Sequence, residues 1–375
     1  MIKFWSYLPE YNFDREKILK NIDETLKSGH IFFGKELAKF EKNFLKSNNS
    51  KYGAGVKSGT DALLLSLRAI NIKKNDEIIT AANTAIPTIS AIISAGGIPK
   101  LVDINKDYLI DVTKIEAEIT SKTKAIIPVH LYGQSCDMDK IISIAKKYNI
   151  KIIEDCAQSQ GAKYKDKYVG NFGDFGCFSF YPTKILGAYG DGGFITVKKK
   201  KYYEKIKRLR FYGIETINNK NKFYRKYFAI ENGYNSRLDE IQSSILNLKL
   251  KKIKKNINRR IFLAKIYIKY LKNTNLILPN ANKNNRHVYH LFTVYHPKKK
   301  LIIKKLKKLK IETREIYPYP IQAMTAYKKI INNHNRLLNS QIKSKGIFSL
   351  PLYPELNKNK VIFICKKLID ICKNL

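Results

Sequence analysis

Lys184 stands in a setting that suits the chemistry of an amine. It follows an aromatic segment, residues 178–183 (FSFYPT), and precedes a glycine-rich one, residues 190–193 (GDGG). Partial burial there would lower the pKa of the amine and free it for Schiff-base chemistry with a carbonyl. Most lysines are solvated surface side chains. The setting, and not the residue type, therefore makes Lys184 a candidate catalytic residue.

Two other segments place polar groups where predicted strands end. Residues 57–61 (KSGTD) lie between a strand and an apolar helix, so Gly59 and Thr60 could offer free backbone amides to a phosphate. Residues 154–158 (EDCAQ) follow another strand, and a carboxylate there could be a metal ligand, a base or the partner of a cation. Either segment alone is better explained as an ordinary helix cap.

The elements that must position these residues are strand–helix–strand units. Residues 52–56, 125–130, 151–154, 177–180 and 193–197 are short apolar runs that predict buried strands. Between two of them, Asp137 is typical of a helix N-cap, and apolar residues follow it at helical spacing. Strands joined by a crossover helix run parallel, so we expect an α/β domain with a mainly parallel sheet. Ligands bind such sheets beyond the carboxyl ends of the strands.

The pattern changes after about residue 235. Residues 236–271 predict one long lysine-rich helix, and later residues alternate short strands, such as 289–295, with basic helices. We therefore divide the chain into a large domain, 1–245, and a smaller C-terminal α+β domain, 246–375.

The charge of the chain allows a nucleic-acid function but does not favour one. The formal net charge is +40, yet only 11 of the 71 basic residues are arginines, the residues on which specific nucleic-acid sites depend. The same charge would attract an anionic small substrate. Five cysteines without paired spacing, and no apolar run long enough for a membrane span, favour a cytoplasmic protein that does not enter a membrane.

Taken together in order, the motifs resemble the DegT/DnrJ/EryC1/StrS family of pyridoxal-phosphate (PLP) sugar aminotransferases. The matching segments are 28–29 (SG) with Gly34, 58–62 (SGTDA), 83–84 (NT), 130–133 (HLYG), 154–155 (ED) with 157–158 (AQ), 179–184 (SFYPTK), 190–193 (GDGG), 235–239 (NSRLD) and 349–351 (SLP). The resemblance spans nearly the whole chain and implies a fold-type-I PLP-dependent transferase.

The resemblance also implies roles for individual residues. Lys184 would hold PLP covalently, and Asp155 would pair with the pyridine nitrogen, which makes the ring an electron sink. Gln158 would hydrogen-bond near the ring hydroxyl. The phosphate would be held by Gly59, Thr60 and Ser179, and by Asn235 of the neighbouring subunit of a homodimer with shared active sites.

The segment after Asn83 differs from many relatives. They carry an aromatic residue over the cofactor ring where this chain has Ala85, so no stacking residue is assigned. Residues 83–91 instead resemble the branch that aminates 3-keto-6-deoxy sugars attached to dTDP. The expected reaction converts dTDP-3-keto-6-deoxyhexose into dTDP-3-amino-3,6-dideoxyhexose, with glutamate as the amino donor.

Weaker candidates lie in the second half of the chain. His287 and His290 have a spacing that a metal site could use, but a structural or substrate-edge role is favoured, and we expect no metal. The resemblance implies that Arg314, Tyr317 and Tyr319 could meet the nucleotide, although a rigid proline-rich turn explains that segment equally well. Gln322 stands where relatives commonly have histidine.

Three alternatives remain at this point. A 4-aminotransferase acting on a 4-keto-sugar shares nearly all of these motifs. A PLP sugar dehydratase would carry histidine in place of Lys184. A non-catalytic basic binding protein or regulator would have no need of Asp155, Ser179 and Lys184 together.

Overall fold

The short apolar runs of the sequence form the strands of a central sheet. The structure, a computed structural model, describes residues 1–214, 227–281, 285–331 and 336–375. Its strands are β1 (Tyr52–Val56), β2 (Glu77–Ala81), β3 (Ile98–Val102), β4 (Thr123–Ile127), β5 (Lys151–Asp155), β6 (Lys163–Tyr164), β7 (Lys167–Tyr168), β8 (Phe175–Ser179), β9 (Gly193–Val197), β10 (Asn285–Arg286), β11 (Phe292–Tyr295) and β12 (Ile347–Leu350).

Helices lie between several of these strands along the chain. They are α1 (Leu8–Lys27), α2 (Lys35–Asn48), α3 (Gly59–Ala69), α4 (Ile86–Ser94), α5 (Met138–Lys147), α6 (Lys200–Leu209), α7 (Glu240–Leu250), α8 (Ile253–Leu271), α9 (Lys299–Lys308), α10 (Thr325–Lys328), α11 (Leu338–Gly346) and α12 (Lys358–Lys373). Asp137 caps α5 as expected, because its side chain accepts a hydrogen bond from the Lys140 amide.

The central sheet has seven strands in the order β1-β9-β8-β5-β4-β2-β3. Only β9 runs against its neighbours, β1 and β8, and the other neighbouring pairs are parallel. The carboxyl ends of six strands therefore lie at one edge of the sheet. The strand β5 ends there at Asp155 and β8 ends there at Ser179, so the mainly parallel α/β fold is confirmed.

Helices cover both faces of this sheet. Neighbouring residues of one strand enter different hydrophobic clusters: Ile78 and Ile153 pack on one face, and Ile79 and Ile152 pack on the other. This alternation follows from the two-residue period of a strand. Burial on both faces explains why the strands read as continuous apolar runs.

A separate cluster forms the core of the C-terminal part. It unites α8, α9, α12 and the antiparallel pair β11–β12, with buried residues from Leu263 to Cys372. Ile2 and Trp5 from the N-terminus pack against this cluster. The division at residues 245 and 246 stays a prediction.

The prediction of a single long helix over 236–271 is wrong. Asp239 caps α7, which begins at Glu240, and the helical run is interrupted at Lys251 and Lys252. Two lysines of this stretch form ion pairs with carboxylates of α1: Lys252 pairs with Asp14 at 2.5 Å, and Lys249 pairs with Glu10 at 2.7 Å. These long-range pairs fix the chain at the interruption.

Two predicted strands are shorter than expected. The strand predicted over 125–130 ends at Ile127, because Pro128 has no N–H to donate to a neighbouring strand. The strand predicted over 289–295 begins only at Phe292, since Tyr289 has a positive φ of 48° that no strand allows. All five cysteines are buried and free. Within the described ranges, no helix is long and apolar enough to cross a membrane.

Candidate active site

The phosphate end of the predicted site is a close approach of two backbone segments. A Cβ atom added to Gly59 would lie 2.7 Å from the Ser179 Cβ, so only glycine fits there. The Ser58 hydroxyl caps α3 by accepting from the Asp61 amide at 3.1 Å, which confirms the helix-cap interpretation for that residue. In the described part of the chain, the amides of Gly59 and Thr60 have no hydrogen-bond acceptor. They remain available to an anion at this helix N-terminus.

Lys184 follows the carboxyl end of β8. Its backbone amide donates to the Tyr181 carbonyl at 2.8 Å, which turns the chain directly after β8. Burial lowers the pKa of the Lys184 amine to about 8, and the nearby negative charge of Asp155 acts in the opposite direction. A substantial fraction of the amine is therefore neutral, and nucleophilic, just above neutral pH.

Asp155 is a buried carboxylate held from two sides. Its side chain is 5% exposed. One oxygen, Oδ2, accepts from the Thr88 hydroxyl at 2.9 Å, and Oδ1 accepts from the Ala157 amide at 3.1 Å. Burial raises the pKa of Asp155, while these two hydrogen bonds and the charge of Lys184 oppose the rise. Such a group is suited to stabilise a cationic nitrogen on a ligand.

Gln158 is fixed by partners at both ends of its amide. Its Oε1 accepts from the Tyr132 amide at 2.9 Å, and its Nε2 donates to the Tyr317 hydroxyl at 2.9 Å. The Tyr132 hydroxyl in turn donates to the Ile316 carbonyl at 2.5 Å. The loop that contains Tyr317 is thus bound to the edge of the central sheet.

The three predicted substrate residues have different surroundings. Tyr317 is brought to the Asp155 site, where burial raises its pKa and keeps the hydroxyl neutral. Tyr319 is 66% exposed. Arg314 is also exposed, and it forms an ion pair with Glu312 at 2.6 Å. Gln322 is buried and donates to the Ser340 hydroxyl at 2.8 Å.

Asn235 belongs to a different surface. It is exposed, and its Oδ1 accepts from Arg237 Nε at 3.1 Å. The guanidinium of Arg237 lies 4.3 Å from the centre of the Phe32 ring. Phe33 packs edge-on against Phe211 in the same region. No contact within the described ranges joins Asn235 to Lys184 or Asp155 of its own chain.

Among the described residues, one buried group has side chains of metal-ligand type, namely His130, Glu154 and Cys156. The ligand atoms of His130 and Glu154 already form hydrogen bonds. The Glu154 carboxylate accepts from the amides of residues 170, 172 and 173 at 2.7–2.8 Å and lies 3.0 Å from His130 Nε2. His130 Nδ1 accepts from the Cys136 amide at 3.1 Å. These bonds favour a structural network beneath Asp155.

The two histidines near β11 are also better explained without a metal. His287 Nδ1 accepts from the Tyr289 amide at 2.9 Å, and burial lowers the pKa of His287 to about 3. Burial likewise lowers the pKa of His290. Both rings are therefore neutral. The His287 ring is stacked on the Tyr289 ring, with 3.9 Å between the ring centres.

Sequence reasoning did not single out Thr88 or Tyr132. Thr88 lies in the segment that resembles the sugar branch, but its partner Asp155 is 67 residues away. Tyr132 lies in the HLYG segment, and its backbone has a positive φ of 60° that aims its amide at Gln158. Neither contact leaves a local signal in the sequence.

The assembled groups suit one kind of ligand. Free amides at Gly59 and Thr60 suit a phosphate, the amine of Lys184 suits a carbonyl, and the carboxylate of Asp155 suits a basic nitrogen. A ligand with all three groups would be held at both ends around a covalent link.

Comparison with known proteins agrees with this arrangement. The family model described as the DegT/DnrJ/EryC1/StrS aminotransferase family matches residues 12–369. The chain is 42% identical over 349 residues to the dTDP-3-amino-3,6-dideoxy-alpha-D-galactopyranose transaminase of Aneurinibacillus thermoaerophilus, covering 92% of this chain and 93% of the relative. It is 37% identical over 358 residues to the dTDP-3-amino-3,4,6-trideoxy-alpha-D-glucose transaminase of Micromonospora megalomicea subsp. nigra, covering 94% of both. The solved structure of S. venezuelae DesV matches with a TM-score of 0.94 and 31% identity, covering 100% of this chain and 99% of that one.

Proposed function

The chain belongs to the DegT/DnrJ/EryC1/StrS aminotransferase family, and on this premise we propose that it aminates C3 of a dTDP-linked 3-keto-6-deoxyhexose with glutamate as the donor. The product would be the dTDP-3-amino-3,6-dideoxyhexose. The broader assignment follows from the family: the protein is a sugar aminotransferase of the fold-type-I class, and its cofactor is PLP. The observation that carries the proposal is the pairing of this relationship with a buried Lys184–Asp155 site.

The residues present fit PLP. Gly59 lies against Ser179 without room for a Cβ atom, which lets a phosphate approach the backbone. We assign the phosphate to Gly59, Thr60 and Ser179, the covalent attachment to Lys184, and the ring nitrogen to Asp155. Gln158 would face the ring oxygen with the second N–H of its Nε2, since its Oε1 accepts from the Tyr132 amide and its other N–H donates to the Tyr317 hydroxyl.

Each assigned residue has a defined task. PLP supplies an electron sink for charge that develops at the substrate carbon. The Lys184 amine, with its pKa near 8, removes and returns a proton at that carbon. The Asp155 carboxylate holds a proton on the ring nitrogen, because a neighbouring negative charge favours the protonated form.

Several observations support a dTDP-linked 3-keto-sugar. Two relatives that cover more than nine-tenths of the chain are both named for dTDP-3-amino sugars. Residues 83–91 resemble the same branch. The net charge of +40 would draw a diphosphate substrate toward the protein.

A homodimer would complete the site. Asn235 lies beside exposed apolar side chains, among them Phe32 at 42% and Tyr212 at 44% exposure. Exposed apolar patches of this kind commonly mark contact surfaces. We infer that a second copy covers the patch and that Asn235 reaches the phosphate bound by that copy.

A single-turnover experiment tests the substrate. The enzyme is first converted with glutamate to its amino form, and the 3-keto and 4-keto isomers of the dTDP-6-deoxyhexose are then added separately. We expect the 3-keto sugar to restore the absorbance of PLP, and the 4-keto isomer to do so much more slowly. The reverse preference would make the enzyme a 4-aminotransferase of the same class. Failure with both sugars and with glutamate would favour the non-catalytic alternative.

A further inference from the structure

Asp155 lies at the end of a chain of two hydroxyl groups. The Thr84 Oγ1 is 2.8 Å from the Thr88 Oγ1, which is 2.9 Å from Asp155 Oδ2. Both threonines are buried, with 1% and 0% of their surfaces exposed. Water therefore does not compete with these bonds, and the two side chains support one oxygen of the carboxylate while the Ala157 amide supports the other.

The direction of both bonds follows from their chemistry. An ionised carboxylate only accepts hydrogen bonds, so Thr88 must donate to Asp155. The Thr88 oxygen is then free to accept the proton of Thr84. Each bond polarises the next, so the chain strengthens the hydrogen bond to the carboxylate.

This support acts against the cost of burying a charge. Burial raises the pKa of Asp155. In the described part of the chain, the titratable groups that interact with it are Lys184, His130, Tyr317 and the buried thiols of Cys136, Cys156 and Cys177. Thr88 stands in the first turn of α4, a turn without an acidic residue and with an N-cap, Ala85, that has no capping side chain. The positive end of that helix is thus left to interact with a carboxylate from another element.

We propose that Thr88, supported by Thr84, is a positioning residue that keeps Asp155 ionised and turned toward the ring nitrogen of the cofactor. The inference rests on the assignment of Asp155 to that nitrogen. Thr88 acts through Asp155, and it has no task of its own in the reaction.

Thr88→Val tests this because valine keeps the shape of threonine and removes the hydroxyl. Thr80→Val is the matched control, since the buried Thr80 hydroxyl donates to the Ile127 carbonyl at 2.9 Å. The Asp155 carboxyl is titrated in cofactor-free protein by infrared difference spectroscopy against Asp155→Asn. We expect Thr88→Val to raise the pKa of Asp155 by about one to two pH units, the value of a hydrogen bond to a charged group.

The variant series separates positioning from damage to the fold. Thr88→Ser should restore the wild-type titration, and Thr84→Val should give a smaller shift in the same direction. In the enzyme with PLP bound, the acid limb of the pH profile of kcat/KM should shift to higher pH in Thr88→Val. It should keep its position in Thr80→Val.

Two results would overturn the proposal: an unchanged Asp155 titration in Thr88→Val, or an equal shift in Thr80→Val. If Thr88→Val does not fold, Thr88→Ala and Thr84→Val provide the same comparison. An unchanged pKa of Asp155 in both variants would then overturn the proposal. An inactive wild-type enzyme would refute the proposed function instead. The titration of Asp155 in the cofactor-free protein would still be readable.

Discussion

The amide of Gln158 donates a 2.9 Å hydrogen bond to the hydroxyl of Tyr317, across 159 positions of the chain. This bond joins the carboxyl edge of the central sheet to the loop before α10. Because the Tyr132 amide fixes Oε1 of Gln158, the orientation of that amide is determined, and Nε2 must face Tyr317. The C-terminal part of the chain therefore helps to set the cofactor site.

The first prediction concerns this bond. Tyr317→Phe removes the acceptor that holds the Gln158 amide in place, so fixing that amide again when PLP binds costs about 1 kcal/mol. We expect PLP to bind about fivefold more weakly, as measured by equilibrium dialysis.

The neighbouring Tyr319 provides the control. It lies in the same loop but is 66% exposed, so Tyr319→Phe should leave cofactor affinity unchanged. Equal losses in both variants would mean that the loop as a whole, and not the bond to Gln158, stabilises the site.

The sequence was sufficient to place the ends of the strands. Gly59, Asp155 and Ser179 each follow or end a short apolar run, and parallel strands bring such ends to one edge of the sheet. Local pattern and topology together therefore predict that these three residues meet at the same edge of the sheet.

Contacts between residues far apart in the chain could not be predicted from local sequence patterns. The interruption between α7 and α8 lies beside ion pairs with α1. The bonds of Asp155 to Thr88 and of Gln158 to Tyr317 likewise join segments with no shared local pattern. The predicted substrate residues show the same limit, since only Tyr317 of the three is bound at the Asp155 site.

A second prediction concerns the charge of Asp155. Asp155→Asn keeps the shape of the side chain but cannot hold a proton on the ring nitrogen. We expect PLP to remain attached, while each half-reaction slows by about a hundredfold or more, the range for groups that assist proton transfer. Stopped-flow absorbance with glutamate alone measures the effect. Turnover close to that of the wild type would remove Asp155 from its assigned role.

A third prediction concerns the stability of cofactor-free protein. The pKa of Lys184 falls from 10.5 in the unfolded chain to about 8 in the folded one, so at neutral pH folding buries an amine that prefers to stay protonated. This costs about 3 kcal/mol below pH 8. Lys184→Met should therefore raise the free energy of unfolding by up to that amount at pH 7.

The pH dependence gives the check. Between pH 8 and 10.5 the unfolded chain binds more protons at this lysine than the folded protein does, so the wild type gains stability as pH rises. The advantage of Lys184→Met should shrink over the same interval in urea titrations. Lys57→Met, at an exposed position, should show neither the gain nor the trend. A pH-independent gain would mean that improved packing, and not the charge, is responsible.

The last prediction tests whether the site is shared between two subunits. Lys184→Ala lacks the amine that attaches PLP, and Asn235→Asp would place a carboxylate against the cofactor phosphate and repel it. Each homodimer should be weak or inactive alone. The two variants are unfolded and refolded together so that mixed dimers form.

If Lys184 and Asn235 of one site come from different chains, one site of each mixed dimer receives both defects and the other receives neither. Random pairing makes half of the dimers mixed, each with one intact site, so activity should return to about a quarter of the wild-type level. If both residues came from one chain, every site would keep a defect. Tag-based purification would show whether mixed dimers have formed. If they form but are inactive, Asn235 does not act in the site of the neighbouring chain, and its exposed position beside Phe32 would not be explained by catalysis.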